Sequence, residues 1–293
     1  MNIVKERANA KINLYLDVIS RRDDGFHDIK TVMHSLDLHD YIAVKSSPAK
    51  ETSISIFVKG GKYLPADKRN IAYKAAELFL SKLAVSARVE ITLEKRIPVA
   101  AGLAGGSSDA AAVLRAMNKL FGKPFSYKLL HKFAAELGSD VPYCLYGKTA
   151  LCEGRGELMT KLPDNLKLHC VIAIANEKMS TPIAYSALDE LYHNFDGSVK
   201  QHGDGHYNIL CNSFESGELC IDGLYNIFED AVLPLCPGAA EIKKKLISLG
   251  ASAAMMSGSG PSVFGVYSNR EDAENACRAL RNDGVRAFVA KSV

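Results

Sequence analysis

The sequence predicts a mixed α/β (α+β) protein, because segments with strand-like and helix-like periodicity alternate along the chain. Hydrophobic residues make up 47% of the 293 residues and charged residues 24%, which is the composition of an ordinary globular protein with a sizeable core. The formal net charge is only +3, and the chain has no dense run of Lys and Arg. These features argue against a nucleic-acid partner and against a membrane surface.

The first half of the chain combines strand-like segments with three helical ones. Alternating apolar residues predict strands at residues 12–18, 41–44, 53–58 and 89–93. Apolar residues at helical spacing predict helices at residues 70–83, between the glycine-rich segment 98–111 and Gly122, and at residues 126–137. Glycine follows the last two helices, as expected at helix ends.

The second half repeats this alternation after about residue 161. We predict strands at residues 168–175 and 285–290 and on both sides of 257–262, and helices at 181–192, 239–249 and 271–282. Residues 194–207 are polar and rich in glycine, which is typical of a mobile loop. The change of pattern predicts a boundary near 150–165, with one domain at residues 1–160 and a second at 161–293.

Neither a targeting segment nor a zinc site is expected. The first residues carry four charges by Lys11, so they form no apolar signal region, and no stretch approaches the length of a membrane span. The seven cysteines are scattered without a C-x-x-C pair, which favours reduced, mostly buried thiols and no zinc site. The expected location is the cytoplasm.

The segment from Gly102 to Ser108 has the features of a phosphate-binding loop. Its glycines allow the backbone to approach phosphates, and the following helix offers free N–H groups and a positive dipole end. Neither the Walker pattern nor the G-x-G-x-x-G dinucleotide pattern is present here. A tight turn rich in small residues is the structural alternative, since turns commonly use Gly and Ser.

Three motifs in order resemble those of the GHMP kinases, a superfamily that includes galactokinase, homoserine kinase and mevalonate kinase. The motifs are PVAAGLAGGSSDAA at 98–111, GSDVPYC at 138–144 and MSGSGPSVFG at 256–265, with AKINLYL at 10–16 in front. The resemblance covers essentially the whole chain. It implies an ATP-dependent small-molecule kinase with a ribosomal-protein-S5-like N-terminal domain, a ferredoxin-like C-terminal domain and the active site in the cleft between them.

The block at residues 11–40 resembles a narrower group within that superfamily. Arg22-Asp23-Asp24-Gly25-Phe26-His27 fits the pattern R-x-D-G-[YF]-H of members that act on a cytidine-diphosphate-linked methylerythritol in the non-mevalonate isoprenoid pathway. The implied reaction transfers the γ-phosphate of ATP to the 2-hydroxyl of that substrate. The implied partner is therefore this small molecule, and the oligomeric state stays open.

The resemblance implies two catalytic residues. Lys11 would stabilise the developing alkoxide or hold Asp140 ionised, and Asp140 would accept the proton of the acceptor hydroxyl. Without the resemblance, Lys11 reads as a solvated strand lysine and Asp140 as a turn aspartate. Positioning and charge stabilisation carry most of the rate in phosphoryl transfer, so literal proton abstraction by Asp140 is the weaker part of this expectation.

The resemblance also implies substrate contacts. His27 would hydrogen-bond the cytosine edge, Phe26 would stack on its face, Asn13 would contact substrate, and Tyr185 would be a second stacking aromatic. The family more often has tyrosine at the position of Phe26. The ordinary alternatives are core packing for the aromatic residues and a surface position for His27. The third motif would shape the pocket through Ser257, Gly258 and Ser259, unless it is merely a turn between strands.

The implied ATP site comprises the whole loop together with Mg²⁺. Its predicted contacts are Pro98, Val99, Ala100, Ala101, Gly102, Leu103, Ala104, Gly105, Gly106, Ser107, Ser108 and, facing the adenosine, Asn70. Ser108 is also the candidate metal ligand. Ala100 and Ala104 stand where the family often has glycine, so either both have ordinary backbone angles or the loop is slightly strained.

Two other functions stay open from the sequence. A kinase for another hydroxyl substrate, such as homoserine or mevalonate, would not need the cytidine-reading segment that ends at His27. A catalytically dead sensor would not need both Lys11 and Asp140.

Overall fold

A computed structural model describes residues 2–61, 64–193 and 203–293 of the chain. These residues form two compact units that are discontinuous in sequence. The first unit draws on the chain up to Ala10, on His39–Val99 and on Ala104–Gly147. The second draws on Lys11–Leu38, on Ala100–Leu103 and on the described residues from Lys148 to Val293.

The strands and helices alternate as the sequence predicts. The strands are β1 (Asn2–Arg21), β2 (His27–Pro48), β3 (Ser53–Lys59), β4 (Ala87–Glu94), β5 (Thr149–Gly154), β6 (Leu158–Lys161), β7 (His169–Ile174), β8 (Tyr225–Asn226), β9 (Ala253–Met256), β10 (Ser262–Tyr267) and β11 (Arg286–Lys291). The helices are α1 (Ile71–Leu83), α2 (Gly105–Leu120), α3 (Tyr127–Leu137), α4 (Val141–Tyr146), α5 (Thr181–Leu191), α6 (Asp204–Ser216), α7 (Phe228–Val232), α8 (Pro237–Ser248) and α9 (Arg270–Asn282).

The two long strands β1 and β2 each contribute residues to both units. For this reason no single boundary in the sequence separates the two compact units. The division into residues 1–160 and 161–293 concerns sequence domains and stays a prediction.

The first unit packs helices on a sheet. β4 pairs in parallel with β3 and antiparallel with the second half of β2, from Tyr41 to Pro48. The core contains apolar residues of these strands and of α1, α2, α3 and α4. In α2 the whole run from Ser108 to Leu114 is buried, so this helix lies inside the unit. That position fixes the loop from which α2 begins.

The second unit contains an antiparallel sheet with the strand order β11-β7-β10-β9. β7 is its apolar central strand, and helices α8 and α9 contribute to the core around it. Also within this unit, β5 pairs with the first half of β2 and with β6, and β8 pairs in parallel with β1 at Tyr15 and Leu16. No described helix is long and apolar enough to cross a membrane.

The structure describes only residues 203–207 of the loop predicted at 194–207. Residues 194–202 lie outside the described residues. The prediction is wrong for residues 204–207, which form the first turn of α6. Two glycines and two histidines near this turn suggest a loop, but Leu210, Ser213 and Phe214 bury one side of the helix. Tertiary packing therefore outweighs local helix propensity here.

Candidate active site

Lys11 is a buried residue of β1, and its ammonium group is held within the second unit. Lys11 is 4% exposed, and Nζ donates to Asn13 Oδ1 at 2.7 Å and to the carbonyl oxygen of Gly102 at 2.9 Å. Asn13 Nδ2 donates to Thr31 Oγ1 at 2.8 Å, and Thr31 donates to the carbonyl of Tyr15 at 2.7 Å. Residues two apart on a strand share a face, so the alternation of β1 brings Lys11 and Asn13 together. These bonds fix the position of a buried positive charge.

Gly102 packs directly against the turn that follows β9. Its φ is +71°, and a Cβ on Gly102 would lie 2.2 Å from the carbonyl oxygen of Ser257. Ser257 Oγ donates to the Gly102 carbonyl at 3.1 Å, so this one oxygen accepts from both Lys11 and Ser257. Ser262 Oγ donates to the neighbouring Ala101 carbonyl. Both the angle and the contact require glycine at position 102.

The turn itself is held by Asn226 of β8. Asn226 Nδ2 donates to the carbonyl oxygens of Met256 and Gly258 at 2.8 and 2.9 Å, and its Oδ1 accepts from Phe228 N at 3.1 Å. Gly258 has a φ of +58°, and a Cβ there would lie 3.4 Å from Lys11 Nζ. The third sequence motif therefore lies beside Lys11. Ser259, the next residue, is half-buried and shares a 3.0 Å hydrogen bond with Thr181.

The N-terminus of α2 has no capping side chain. Ser108 N donates to the carbonyl of Ala104 at 2.8 Å, so the N–H groups of residues 105–107 have no partner within the helix. Gly106 is exposed, and Gly105 and Ser107 are half-buried. Free N–H groups and the positive end of the helix dipole together favour an anionic ligand such as a phosphate.

The two alanines of the loop have left-handed backbone angles. Ala100 has a φ of +53° and Ala104 a φ of +54°. Of the two possibilities that the sequence left open, the structure therefore has the strained one. The left-handed conformation costs an alanine about 1–2 kcal/mol. Strain of this kind persists where the surroundings determine the backbone, and such places are often functional.

The rest of the loop alternates between packing and exposure. Pro98, Ala101 and Leu103 are buried, whereas Val99 and Ala100 are exposed. The buried residues anchor the loop, and the ATP contacts predicted for its exposed residues stay predictions.

A buried ionic cluster lies beneath the start of α2, and sequence reasoning missed it. Lys95 Nζ donates to Asp40 and, at 2.8 Å, to Asp109 Oδ2, while Asp40 also accepts from the backbone N–H groups of Arg96 and Ile97. The side chains of Lys95, Asp40 and Asp109 are at most 4% exposed. Burial raises the pKa of Asp109 well above its usual value, although Lys95 opposes this shift.

The cluster packs against the first turn of α2, within the first unit. A Cβ on Gly105 would lie 3.3 Å from Lys95 Nζ, so the lysine contacts the first turn of α2 closely. The signal available in the sequence was Asp109, which the loop motif carries directly after its two serines.

Two of the predicted ATP contacts, Ser108 and Asn70, also have hydrogen-bond partners within the protein. Ser108 is 1% exposed, and its Oγ donates to the carbonyl of Asn9 and lies 3.3 Å from Cys144 Sγ. The Ser108 hydroxyl thus has partners within the protein, and its role as the metal ligand stays a prediction. Asn70 caps α1 by accepting from Ala72 N at 2.9 Å and donates to the carbonyl of Pro65 at 2.8 Å. An adenosine contact is therefore not needed to explain Asn70, and that contact stays a prediction.

Asp140 occupies the N-cap position of α4 in the first unit. Its side chain makes no capping hydrogen bond, and the residue is only half-buried. The carbonyl of Asp140 accepts from Cys144 N at 3.0 Å, so the backbone is fixed although the carboxylate does not serve the helix. The pairing of Asp140 with Lys11, which belongs to the second unit, stays a prediction.

His27 and Tyr185 meet in the second unit, whereas Phe26 points elsewhere. The rings of His27 and Tyr185 are stacked with centroids 4.6 Å apart, and His27 Nε2 lies 2.7 Å from Asp189 Oδ1. Phe26 is 49% exposed, and the guanidinium of Arg155 lies 3.7 Å from its ring centroid. Tyr185 is thus placed against His27, whereas the ring of Phe26 is partly exposed and is contacted by Arg155.

Two family models match the chain. The profile described as GHMP kinases N terminal domain matches residues 70–148, and that described as GHMP kinases C terminal matches residues 212–286. Proteins named 4-diphosphocytidyl-2-C-methyl-D-erythritol kinase are similar over nearly their whole length. That of Macrococcus caseolyticus is 40% identical over 95% of both chains, and that of Clostridium tetani 38% identical over 99% of this chain and all of the other.

The chain belongs to the GHMP kinase family.

Solved structures agree with this membership. A crystal structure of 4-(cytidine 5'-diphospho)-2C-methyl-D-erythritol kinase has a TM-score of 0.80, 31% identity and 98% coverage of both chains. The structure of homoserine kinase from Cytophaga hutchinsonii is 22% identical and has a TM-score of 0.75, and the match covers 100% of this chain and 95% of the other. This likeness shows that the two proteins share a fold. The predicted fold class is therefore confirmed, and membership makes this GHMP kinase an ATP-dependent small-molecule kinase.

In this kinase the sequence motifs contain most of the predicted site residues, but not the residues that hold them in place through hydrogen bonds. The residues that the motifs missed are Thr31, Lys95, Asp40, Asp189 and Asn226, each of which holds a predicted residue or the loop. Their partners are distant in sequence, so local patterns could not reveal them. The individual roles predicted for the site residues stay predictions.

Proposed function

We propose that the chain transfers the γ-phosphate of ATP to the 2-hydroxyl of 4-diphosphocytidyl-2-C-methyl-D-erythritol. The sequence identity of about 40% to proteins of that kinase name, over nearly the full length, carries the proposal. The segment from Arg22 to His27 and the stacked pair of His27 and Tyr185 support it, because they provide polar and aromatic groups suited to a base.

The glycine-rich loop would hold the triphosphate. The N–H groups of residues 105–107 and the dipole of α2 suit its negative charge. Because α2 is buried from Ser108 to Leu114 and Asp109 is bound by Lys95, these donors would be positioned before ATP binds. Preorganised donors stabilise developing charge without the cost of rearrangement during the reaction.

Mg²⁺ would bind together with ATP. This ion usually keeps several waters and is held by phosphates and one or two protein oxygens. The half-buried hydroxyl of Ser107 on the first turn of α2 fits such a ligand, whereas Ser108 Oγ is directed at Asn9. Bound there, Mg²⁺ would neutralise part of the negative charge of the phosphates.

Lys11 and Asp140 would act on the acceptor hydroxyl. In the proposed step the hydroxyl oxygen forms a bond to the γ-phosphorus, the bond from that phosphorus to the β,γ-bridging oxygen breaks, and ADP leaves. Asp140 would receive the hydroxyl proton, and the buried charge of Lys11 would stabilise the oxygen as it becomes negative. The fixed bonds from Lys11 to Asn13 and Gly102 favour such a positioning role.

The test is release of ADP with ATP, Mg²⁺ and the cytidine-linked substrate. We expect substrate-dependent release by the wild type and a loss of at least about a hundredfold in kcat for Asp140→Asn and Lys11→Met. Glu190→Gln, at an exposed position on α5, is the control that should keep full activity. Turnover of homoserine or mevalonate in place of the cytidine substrate would refute the proposed acceptor but not the family, and no turnover of any substrate would favour a sensor.

A further inference from the structure

Asp189 makes a contact with His27 that no sequence motif indicates. His27 Nε2 lies 2.7 Å from Asp189 Oδ1, a distance typical of a hydrogen bond to a carboxylate. The pair is shielded from solvent, because 5% of the His27 side chain and 15% of the Asp189 side chain are exposed. Asp189 Oδ2 faces Arg21 at 3.7 Å, so both carboxylate oxygens have defined neighbours.

Helix α5 presents two contacts to His27 from one face. Tyr185 and Asp189 are four residues apart, which places them one above the other on a helix. Tyr185 covers a face of the imidazole ring, and Asp189 binds its edge. Phe228 packs edge-on against Tyr185 with the centroids 4.8 Å apart, so the stack is itself supported. The ring of His27 is thereby fixed in both tilt and rotation.

An ionised carboxylate accepts hydrogen bonds and does not donate them. The proton in the contact must therefore belong to His27 Nε2. In a neutral imidazole the other nitrogen, Nδ1, is then an acceptor. The amino group at C4 of cytosine is a donor, whereas uracil has a carbonyl acceptor at that position. A His27 ring of this tautomer would favour cytosine and disfavour uracil.

We propose that Asp189 is a positioning residue that holds His27 in the Nε2-protonated tautomer and thereby makes the kinase select cytidine over uridine in its substrate. The inference rests on the proposed function, because it assumes that His27 reads the base. Asp189 contacts His27 and not the substrate, so it acts through that side chain.

The first test concerns the tautomer alone and needs no substrate. Long-range ¹H–¹⁵N correlation spectra of the ¹⁵N-labelled full chain show which ring nitrogen of each histidine carries a proton, and His27→Gln assigns the signal of His27. We expect Nε2 protonated and Nδ1 unprotonated in the wild type and in Asp189→Asn, whose amide oxygen can still accept. We expect loss of this pattern in Asp189→Leu. A proton on Nδ1 in the wild type would overturn the proposal.

The second test measures base selection. For Asp189→Leu we expect KM for the cytidine substrate to rise about tenfold or more, since a buried hydrogen-bonding group loses its partner, while kcat changes less than about threefold. Binding of CDP relative to UDP should fall towards equality in Asp189→Leu and stay as in the wild type in Asp189→Asn and in the control Glu190→Gln.

The outcomes separate this proposal from the proposed function. If the wild type turns over the cytidine substrate but Asp189→Leu keeps both KM and the preference for CDP, only the inference about Asp189 is overturned. If the wild type does not turn over that substrate, the proposed function fails, and the spectra still decide whether Asp189 sets the tautomer of His27. If Asp189→Leu does not fold, Asp189→Ala, which also removes the acceptor, takes its place in both tests with the same expected results.

Discussion

Replacing Gly102 with alanine should disturb stability and catalysis together. At a φ of +71° an added Cβ costs about 1–2 kcal/mol from the backbone conformation alone. The Cβ would also lie 2.2 Å from the carbonyl oxygen of Ser257, and real contacts of this kind are not shorter than about 3.0 Å. Backbone must therefore move by about 0.8 Å or more. The moving carbonyl of Gly102 is the acceptor of Lys11 Nζ, so the ammonium group would lose its position.

The expected magnitudes follow from these two effects. We expect Gly102→Ala to lower the free energy of unfolding by at least about 2 kcal/mol, since strain and the displaced hydrogen bonds add to each other. A displacement of about 1 Å at catalytic groups can reduce the rate about a hundredfold, so kcat should fall between tenfold and a hundredfold. Urea denaturation and the ADP-release assay measure the two quantities.

The control is a glycine with a similar positive φ, at a position where an added Cβ would contact no other atom. Gly284 has a φ of +79°, and a Cβ there would meet nothing within 4 Å. Gly284→Ala should therefore lose only about 1–2 kcal/mol of stability and keep full kcat. If Gly102→Ala were as stable and as active as Gly284→Ala, the argument that this carbonyl positions Lys11 would be refuted.

Three further predictions concern stability. Burial lowers the pKa of His34 to about 4, whereas the pKa of an unfolded histidine is about 6.5. The stability that the neutral ring contributes is therefore fully present above pH 6.5 and is lost as the pH falls towards 4. Urea titrations should show that the wild type loses about 2 kcal/mol between pH 8 and 5 and that His34→Asn does not. Because burial raises the pKa of Asp109, Asp109→Asn should preserve or raise stability at pH 7. Asp40→Asn keeps one oxygen for the two backbone N–H groups but faces Lys95 with an amide NH2 in place of the accepting oxygen, so it should cost about 2–3 kcal/mol. Equal losses of stability in the two variants would contradict this account of the cluster. Ala104→Gly should raise the free energy of unfolding by about 0.5–1 kcal/mol, because glycine relieves the left-handed strain. Ala84 has a φ of +55° and lies outside the loop, so the control Ala84→Gly should raise stability by the same amount and leave KM for ATP unchanged.

Local patterns predict α1 and α3 well because the start and end signals of these two helices are local. Asn70 and Ser126 accept from backbone N–H groups as N-caps of α1 and α3, and the predicted ends of both helices agree with the structure. The 20-residue length of β1 was not predicted. Only residues 12–18 alternate strongly in sequence, and the rest of β1 is held by pairing that a single segment does not reveal.

The site divides in the same way. The alternation of β1 predicts that Lys11 and Asn13 share a face, and the structure places Nζ of one 2.7 Å from Oδ1 of the other. Asn226 has no comparable signal. It lies in a strand of two residues, and its importance comes from carbonyl acceptors 30 and 32 residues away in the chain. The sequence therefore predicts the charged residue Lys11 more readily than Asn226, whose hydrogen bonds hold the neighbouring turn in place.

The carbonyl oxygen of Gly102 connects three motifs that the sequence treats as separate. It belongs to the glycine-rich loop, it accepts from Lys11 of the first strand, and it accepts from Ser257 of the third motif. These partners are 91 and 155 residues away along the chain. Since one oxygen serves both donors, a change at Ser257 alters the position of the acceptor that Lys11 uses. Substitutions at Lys11, Gly102 and Ser257 should therefore be coupled, and the effect of a double substitution on kcat should differ from the product of the single effects.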